Sequence, residues 1–290
     1  MSRIDPLNRD PATPCVAPVG AVTTPHRPLT GYYEDESRRQ QYVRDIFDST
    51  AADYDRIERI MAFGSGPWYR RQALRRAGVG PGAAVLDAGC GTGLLAREAL
   101  SLVGPQGRLV GIDPSPGMLA RAQLGDAELL EGRAESLPVP DESFDFVTMG
   151  YALRHVGDVS AAFREFFRVL KPGGIVLVLE ITKPAGAIGS AALKLYMRGV
   201  VPLLARAVSR SAGSPELWRY YWDTIEACAP PQRVLDTLLQ AGFTRVRRQL
   251  ELGLFSEYRA VKPLDGTGPG NVVKPTGTST GTSTGTSRSL

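Results

Sequence analysis

The feature that most constrains this chain is a short apolar run that ends in an acidic residue and three alternating glycines. Residues 85–93 read Val-Leu-Asp-Ala-Gly-Cys-Gly-Thr-Gly, with the carboxylate at Asp87. Glycine permits a sharp turn from strand into helix and lets a ligand approach the backbone without meeting a Cβ atom. Such a turn is typical of open α/β sheets, in which ligands bind beyond the carboxyl ends of the strands.

Strand-like and helix-like segments alternate on both sides of this turn. Apolar residues recur with helical spacing at 39–61, 96–102, 118–123, 158–170 and 231–241. Strands are predicted at 83–87, 108–112, 128–131, 144–149, 175–181, 244–250 and 254–261. Repeated β-α units indicate a mostly parallel sheet with helices on both faces. We therefore predict one α/β domain, built on a Rossmann-like, doubly wound sheet of seven strands.

Composition changes near both ends of the chain. Residues 1–30 contain six prolines, and residues 264–290 are rich in Gly, Thr and Ser, which predicts a disordered arm and a disordered tail. Between them we expect an N-terminal helical cap over 31–80 and a ligand-binding domain over 81–263. Residues 185–230 form an insertion in that domain, at the ligand end of the sheet.

Charge and residue usage exclude several classes of protein. The 34 basic and 30 acidic residues are interspersed, which argues against a nucleic-acid partner, although contact with anionic lipids stays open. Two histidines and three widely spaced cysteines predict no metal site and a reducing compartment. No signal peptide and no uninterrupted apolar run of ~20 residues is found. A cytoplasmic protein is therefore predicted.

Two ligands fit the glycine-rich loop. Gly91, Gly93 and Ala96 match the dinucleotide fingerprint, and Asp113, at the end of the next strand, can bind both hydroxyls of a ribose. This pattern alone leaves an NAD-dependent oxidoreductase open. However, a carboxylate at Asp87 would repel a pyrophosphate and attract an ammonium group. S-adenosylmethionine has an ammonium group, a ribose diol and no phosphate, so Asp87 favours it.

Three further segments follow the loop in a fixed order. They read ESLPVPDESFD at 135–145, LRHV at 153–156, and RVLKPGG with LVLEITKP within 168–184. With the loop, they resemble class I S-adenosylmethionine-dependent methyltransferases, and among these the ubiquinone/menaquinone biosynthesis C-methyltransferase family. The likeness covers 85–184 and extends more weakly to 47–55. It implies C-methylation of a quinol or phenolic ring; methylation of another small aromatic or lipidic metabolite, or a cofactor-binding module without activity, are alternatives.

The resemblance also implies which residues bind the cofactor. Asp87, Gly89, Gly91 and Thr92 would line its methionine and ribose end, Asp113 would bind the ribose hydroxyls, and Arg133 and Ala134 would flank the adenine. The family often has Asn or Asp at the position of Arg133. A side-chain contact to the adenine is thus less secure there than a backbone contact.

Three residues are candidates for the acceptor end. The resemblance places the family's active-site arginine at Arg154, whose permanent charge would stabilise a phenolate or orient a water; a structural ion pair is the alternative. Tyr54 would hydrogen-bond the acceptor, or pack in the core. His155 stands where the family often has Asn, and is either a general base or a polar surface residue. We commit to Arg154 and Tyr54 as the catalytic residues.

The composition of the insertion at 185–230 indicates which kind of acceptor and which partners to expect. Its leucines and valines, mixed with Lys194, Arg198 and Arg206, suit a lid for an isoprenoid tail or an ordinary amphipathic helix. A tailed acceptor would imply peripheral contact with the inner face of a membrane. A homodimer also stays open. Residues 56–68 and 253–258 depart from the family's usual quinone-type pattern, which leaves the identity of the acceptor undecided.

Overall fold

A computed structural model describes residues 23–209 and 213–265. The predictions for 1–22 and 266–290 lie outside the described residues. The strands are β1 Ala84–Ala88, β2 Arg108–Asp113, β3 Glu128–Glu131, β4 Phe144–Gly150, β5 Leu170–Ile181, β6 Thr244–Glu251 and β7 Phe255–Val261. They form one sheet in the order β3-β2-β1-β4-β5-β7-β6, parallel except at β7, which runs antiparallel to β5 and β6. This confirms the predicted sheet.

The helices of the described residues lie on both faces of this sheet and above it. They are α1 Glu36–Met61, α2 Gly66–Ala77, α3 Leu94–Val103, α4 Pro116–Leu119, α5 Val159–Val169, α6 Ala187–Leu195, α7 Val201–Val208, α8 Ser214–Ala227 and α9 Pro231–Gln240. A π-helical turn, Tyr196–Val200, joins α6 to α7, and a 3-10 turn, Leu153–His155, follows β4.

The sheet has one apolar core on each face, because side chains alternate between the two faces along each strand. Leu86 of β1 faces α5 and α9, whereas its neighbour Val85 faces α2 and α3, because successive side chains of a strand point to opposite faces. Both faces of the parallel strands are thus covered by helices, as such sheets require. Strand order reverses between β1 and β4, so the loops after these two strands border the crevice in which ligands bind.

A third apolar cluster lies above the carboxyl ends of the strands and is formed by side chains of α1, α7 and α8. We call these three helices the helical roof. Within the described residues, the stretch Ala187–Ala207, which includes α6, the π turn and most of α7, is long and apolar enough to span a membrane by length and composition. We expected no such segment, because the longest uninterrupted apolar runs of the sequence are far shorter than the ~20 residues that cross a bilayer. The π turn and α7 nevertheless pack against α8, with Met197 and Val201 buried, whereas α6 has no buried residue.

Two predicted boundaries were wrong. Residues 23–30, assigned to the disordered arm, lie against the domain: Val159 N donates to Thr23 O at 2.9 Å and Ala229 N donates to Pro25 O at 2.6 Å. Their prolines do not prevent backbone hydrogen bonds to α5 and to the start of α9. The helix predicted at 118–123 is only the single turn α4, after which Arg121 N and Ala122 N form turn hydrogen bonds to Met118 O and Leu119 O.

Candidate active site

A cavity of about 740 Å³ lies between the carboxyl ends of β1, β2 and β4 and the helical roof. The predicted cofactor residues all line it, namely Asp87, Gly89, Gly91, Thr92, Asp113, Arg133 and Ala134. Tyr54 of α1 and His155 line it as well, whereas Arg154 does not. The structure therefore brings the predicted cofactor set together and separates one predicted catalytic residue from it.

The glycine-rich loop has the backbone conformation that its sequence requires. Gly89, Gly91 and Gly93 all have positive φ, at 70°, 55° and 83°, a region that side chains disfavour. A Cβ atom at Gly89 would lie 2.7 Å from the Cβ of Ala152, so the loops after β1 and β4 touch there. A Cβ at Gly91 would meet nothing within 4 Å, so the space beside this residue in the cavity wall is open.

Asp87 is buried at the end of β1, with one oxygen satisfied and one not. Thr148 Oγ1 donates to its Oδ1 at 2.6 Å, and Oδ2 has no protein partner. Burial raises the pKa of Asp87 to about 7, and the hydrogen bond from Thr148 opposes this rise. An unpartnered buried carboxylate oxygen is costly, and an ammonium group would satisfy it. The site thus fits the cationic end of the predicted cofactor.

Arg70 of α2 is a site residue that the sequence did not reveal. It lines the cavity, is buried and pairs with Glu58 of α1, while its Nη1 has no partner. It lies close enough to Asp87 to lower the pKa of that carboxyl. The cavity therefore offers an unpartnered carboxylate oxygen and an unpartnered guanidinium nitrogen, which together complement an amino-acid zwitterion. In the sequence, Arg70 is one of four arginines on a short helix, and nothing distinguishes it.

Asp113 closes β2 and supports the loop as well as the cavity. Gly91 N donates to its Oδ2 at 2.8 Å and Ser115 N donates to its Oδ1 at 2.9 Å. Burial raises the pKa of Asp113 to about 6, although both backbone hydrogen bonds act in the opposite sense. Each carboxylate oxygen can still accept another hydrogen bond, which suits the two hydroxyls of a ribose.

Helix α1 is tied to the cofactor loops by two carboxylates. Thr92 Oγ1 donates to Asp55, and Asp48 accepts hydrogen bonds from Ser115 Oγ and, at 2.8 Å, from Gly117 N. The weak likeness at 47–55 was the only sequence signal for these contacts. They hold α1 across the cavity as a cover.

The guanidinium of Arg133 hydrogen-bonds to two other side chains. Its guanidinium donates to Gln40 of α1 and, at 2.9 Å, to Glu135. Ala134 beside it is buried and lines the cavity. The side chain of Arg133 thus has protein partners and is 40% exposed, and Arg133 and Ala134 together line this wall of the cavity.

Arg154 corrects our prediction for the acceptor end. It is fully buried behind the cavity wall, paired with Glu180 of β5, and its Nε donates to Thr224 Oγ1 at 3.1 Å. Burial lowers the pKa of Arg154, but the Glu180 carboxylate, Tyr221 and Tyr54 together outweigh burial and raise it. Its guanidinium carbon lies 3.8 Å from the ring centroid of Tyr221. The ion-pair alternative describes its placement, because a buried guanidinium requires a counter-charge.

Aromatic side chains form the wall between Arg154 and the cavity. Tyr221 and Trp218 of α8 line the cavity, and Tyr54 stacks on Trp218 with ring centroids 5.7 Å apart. Burial, and secondly the neighbouring Tyr221, raise the pKa of Tyr54 well above its usual value. Tyr54 therefore remains a neutral phenol. Tyr221, which the sequence did not single out, is the residue that connects Arg154 to the cavity.

His155 is not a polar surface residue. Both ring nitrogens are buried without a partner, and the ring packs against Phe47 and Tyr220. Burial, together with the charges of Arg154 and Arg39, lowers the pKa of His155 well below its usual value. The imidazole is thus neutral at physiological pH and belongs to the aromatic wall.

Comparisons with known proteins found a matching family model and similar individual proteins. Residues 35–262 match the model of the ubiE/COQ5 methyltransferase family. The "Ubiquinone/menaquinone biosynthesis C-methyltransferase UbiE" of Pseudomonas putida strain F1 is 34% identical over 242 residues, which cover 80% of this chain and 93% of that protein. The protein of the same name from Pseudomonas savastanoi pv. phaseolicola is 35% identical over 237 residues, covering 79% and 91%.

Solved structures show the same fold at lower sequence identity. A SAM-dependent methyltransferase from Aquifex aeolicus is 21% identical with a TM-score of 0.51, covering 71% of this chain and 97% of that chain. Haemonchus contortus phosphoethanolamine N-methyltransferase 2, in complex with S-adenosyl-L-methionine, is 19% identical with a TM-score of 0.50, covering 68% and 53%.

Proposed function

The chain belongs to the ubiE/COQ5 methyltransferase family and is an S-adenosylmethionine-dependent methyltransferase, and we propose that it C-methylates the ring of a quinol in ubiquinone or menaquinone biosynthesis. Family membership decides against the NAD-dependent oxidoreductase that the glycine loop left open. The observation that carries the proposal is a single cavity with two unlike ends. One end has unpartnered charged atoms, and the other is walled by aromatic rings.

The charged end suits the cofactor group by group. Asp87 Oδ2 would accept from the ammonium, and Arg70 Nη1 would donate to the carboxylate; both atoms lack a protein partner. Asp113 would accept from the ribose hydroxyls. The backbone at Arg133 and Ala134 would border the adenine, with Gly89, Gly91 and Thr92 around the sulfonium side. When bound, S-adenosylmethionine supplies a methyl group already activated for transfer to carbon.

The chain's own contribution at the other end is alignment, a polar contact and exclusion of water. Tyr54 and Tyr221 line the cavity, and their hydroxyls would hydrogen-bond the acceptor oxygen, favouring loss of a phenolic proton whose ordinary pKa is near ~10. Arg154 acts through Tyr221, whose ring it contacts, and is a positioning residue. Because α1 is held over the loops by Asp48 and Asp55, water is kept from the aligned reactants.

The aromatic wall supports a flat ring as the acceptor. Phe47, Tyr54, Trp218 and Tyr221 surround that end, and Leu193 with Tyr196 of the insertion continue the apolar lining outward. An isoprenoid tail would follow these outward residues, in the pocket predicted for 185–230. A tailless aromatic metabolite would fit the same wall, and this is the alternative acceptor.

A tailed quinol as acceptor would also determine where in the cell the enzyme acts. We place the enzyme in the cytoplasm, at the inner face of the membrane that holds such lipids. The homodimer and the absence of a nucleic-acid partner stay predictions.

Product analysis tests the proposal. The purified chain, S-adenosylmethionine with a labelled methyl group, and reduced demethylated quinols with and without a tail are incubated anaerobically, and the products are analysed by mass spectrometry. We expect label on a ring carbon. Label on oxygen, or label only on unrelated phenols, would contradict it. Calorimetry supplies the cofactor control: S-adenosylhomocysteine should bind and NAD should not.

A further inference from the structure

The stretch Ala187–Ala207 has apolar side chains on its outer side as well as its inner side. Ile188 and Leu195 of α6 are 88% and 71% exposed, although Met197 and Val201 on the inner side are buried. Their spacing of seven residues places Ile188 and Leu195 on one side of the helix. A helix that merely covers a sheet would be polar on that side.

Two turn tips present further apolar side chains at unfavourable backbone angles. Phe63 follows α1 with φ 47° and is 87% exposed, and Leu252 lies between β6 and β7 with φ 53° and is 85% exposed. Bulky residues rarely adopt positive φ, and residues that do so often have a functional reason. Neither side chain is packed against the domain, so no internal contact offsets the strain.

These elements meet around the mouth of the cavity. Met61 and Trp68 beside Phe63, Leu252 itself, and Tyr196 after α6 all line the cavity. Tyr196 OH donates to Met61 O at 3.0 Å, which links the insertion to the α1–α2 corner. We call the exposed apolar side chains of these elements the mouth surface: Phe63, Trp68, Ile188, Leu195 and Leu252.

The charges beside the mouth surface are predominantly positive. Ala187–Ala207 contains Lys194, Arg198 and Arg206 but no acidic residue. At the surface, Lys183, Lys194 and Arg198 are each about half exposed and share only two carboxylates, Glu226 and Asp223. An excess of cations beside exposed apolar side chains is typical of proteins that lie on anionic membranes.

We propose that the mouth surface docks on an anionic bilayer and inserts its apolar side chains between the headgroups. The stretch Ala187–Ala207 lies along the interface and does not span it, because its π turn and α7 are packed against α8. The cavity then opens directly into the lipid. That a tailed acceptor passes from the bilayer into the cavity rests on the proposed function, whereas the docking itself does not.

Vesicle co-sedimentation of the full chain tests the docking. Vesicles are made of phosphatidylcholine alone or with added phosphatidylglycerol. The variant Phe63→Ser with Leu252→Ser removes two inserted side chains, and the control Leu239→Ser with Leu264→Ser removes two exposed leucines that do not line the cavity. We expect binding only to the anionic vesicles, weakened at least tenfold in the mouth variant and unchanged in the control.

A second measurement uses the unmodified protein. Trp68 is 65% exposed at the mouth, whereas Trp218 and Trp222, the other two tryptophans of the chain, are buried. Brominated lipids in anionic vesicles should therefore quench the fluorescence of Trp68, and the variant Trp68→Phe should abolish that part of the quenching. This result does not depend on the stability of the mouth variant.

Several outcomes would overturn the docking: no binding of the unmodified chain, equal binding of both double variants, or no quenching. A dimer that the mouth variant dissociates would show instead that a second copy covers this surface. Methylation of a tailless quinol separates the two proposals. If it persists while vesicle binding fails, only the docking is wrong. If vesicle binding holds while no quinol is methylated, only the proposed function is wrong.

Discussion

The cofactor end and the acceptor end of the cavity are built in different ways. At the cofactor end, Asp87 and Asp113 lie at the ends of parallel strands, Gly89 and Gly91 lie in the loop after β1, and the backbone N–H of Gly91 donates to Asp113. At the acceptor end, side chains of α1 and α8 form the wall, and a buried ion pair between Arg154 and Glu180 supports it.

Their electrostatics differ as well. The cofactor end leaves Asp87 Oδ2 and Arg70 Nη1 without protein partners, so a charged ligand is needed to satisfy them. At the acceptor end, Arg154 Nη2 and Glu180 Oε2 also lack partners, but these two residues do not line the cavity, and the lining side chains of α1 and α8 offer aromatic faces. One end is therefore prepared to bind a zwitterion, whereas the other is prepared to hold an uncharged ring. Variants that alter one end of the cavity alone test this division.

Removing one partner of the buried ion pair should destabilise the acceptor end most. In Glu180→Leu, the Arg154 guanidinium remains buried without its counter-charge, and we expect the free energy of unfolding to fall by about 3–5 kcal/mol. Urea unfolding followed by circular dichroism measures it. The double variant Arg154→Met, Glu180→Leu removes both charges and should recover most of this loss. An equally unstable double variant would contradict the ion-pair explanation.

The same double variant separates the two ends kinetically. Without the cation behind Tyr221, we expect kcat to fall by about 100-fold, the size of one electrostatic contact in a transition state. The affinity for S-adenosylhomocysteine, measured by calorimetry, should stay within about twofold because Arg154 does not line the cavity. An unchanged kcat would remove Arg154 from the mechanism, and a large loss of affinity would show that the ends are coupled.

Asp87→Asn should affect the cofactor end alone. Loss of a charge-assisted hydrogen bond to the ammonium group should weaken S-adenosylhomocysteine binding by about 30-fold. The variant Thr148→Val is the matched control, because it removes a partner of Asp87 without removing the carboxylate. Equal affinity in Asp87→Asn and the unmodified chain would contradict the assignment of Asp87 to the ammonium.

Cofactor affinity should fall as the pH is lowered. The pKa of Asp87 is about 7 in the ligand-free protein, and an ammonium partner favours the ionised form, so binding below pH 7 must release a proton. Between about pH 7.5 and pH 6 we expect affinity for S-adenosylhomocysteine to fall about fivefold, allowing for the ligand's own α-amino group. Calorimetry in buffers of different ionisation enthalpy would measure the released proton. In Asp87→Asn the part of this pH dependence that comes from Asp87 should be lost, which leaves the contributions of Asp113 and of the ligand's α-amino group.

Arg133→Asn should have the smallest effect. It restores a residue that the family often has, and it removes contacts to Gln40 and Glu135 that are partly exposed. Because exposed ion pairs contribute at most about 1 kcal/mol, we expect cofactor affinity to change by no more than about threefold. A larger loss would show that the side chain, and not the backbone, borders the adenine.

Sequence reasoning succeeded where a few neighbouring residues decide the structure. The turn at Gly89–Gly93 has positive φ at each glycine, because only glycine adopts such angles cheaply. The strand ends at Asp87 and Asp113 follow from short apolar runs. It failed where distant segments meet: residues 23–30 are held by Val159 and Ala229, and Arg70 enters the cavity because α2 packs against α3 and β5 and its guanidinium pairs with Glu58 of α1.

The strands, the glycine turn and the carboxylates that open it can be predicted from the residues alone, since they depend on backbone angles and on local apolar spacing. That Arg154 lies behind Tyr221 and that Asp87 retains an unpartnered oxygen depends on how distant segments pack together. The fate of a charged side chain depends on its burial and on its partner. The partner of Arg154, Glu180, lies on the neighbouring strand, and no local pattern specifies that pairing.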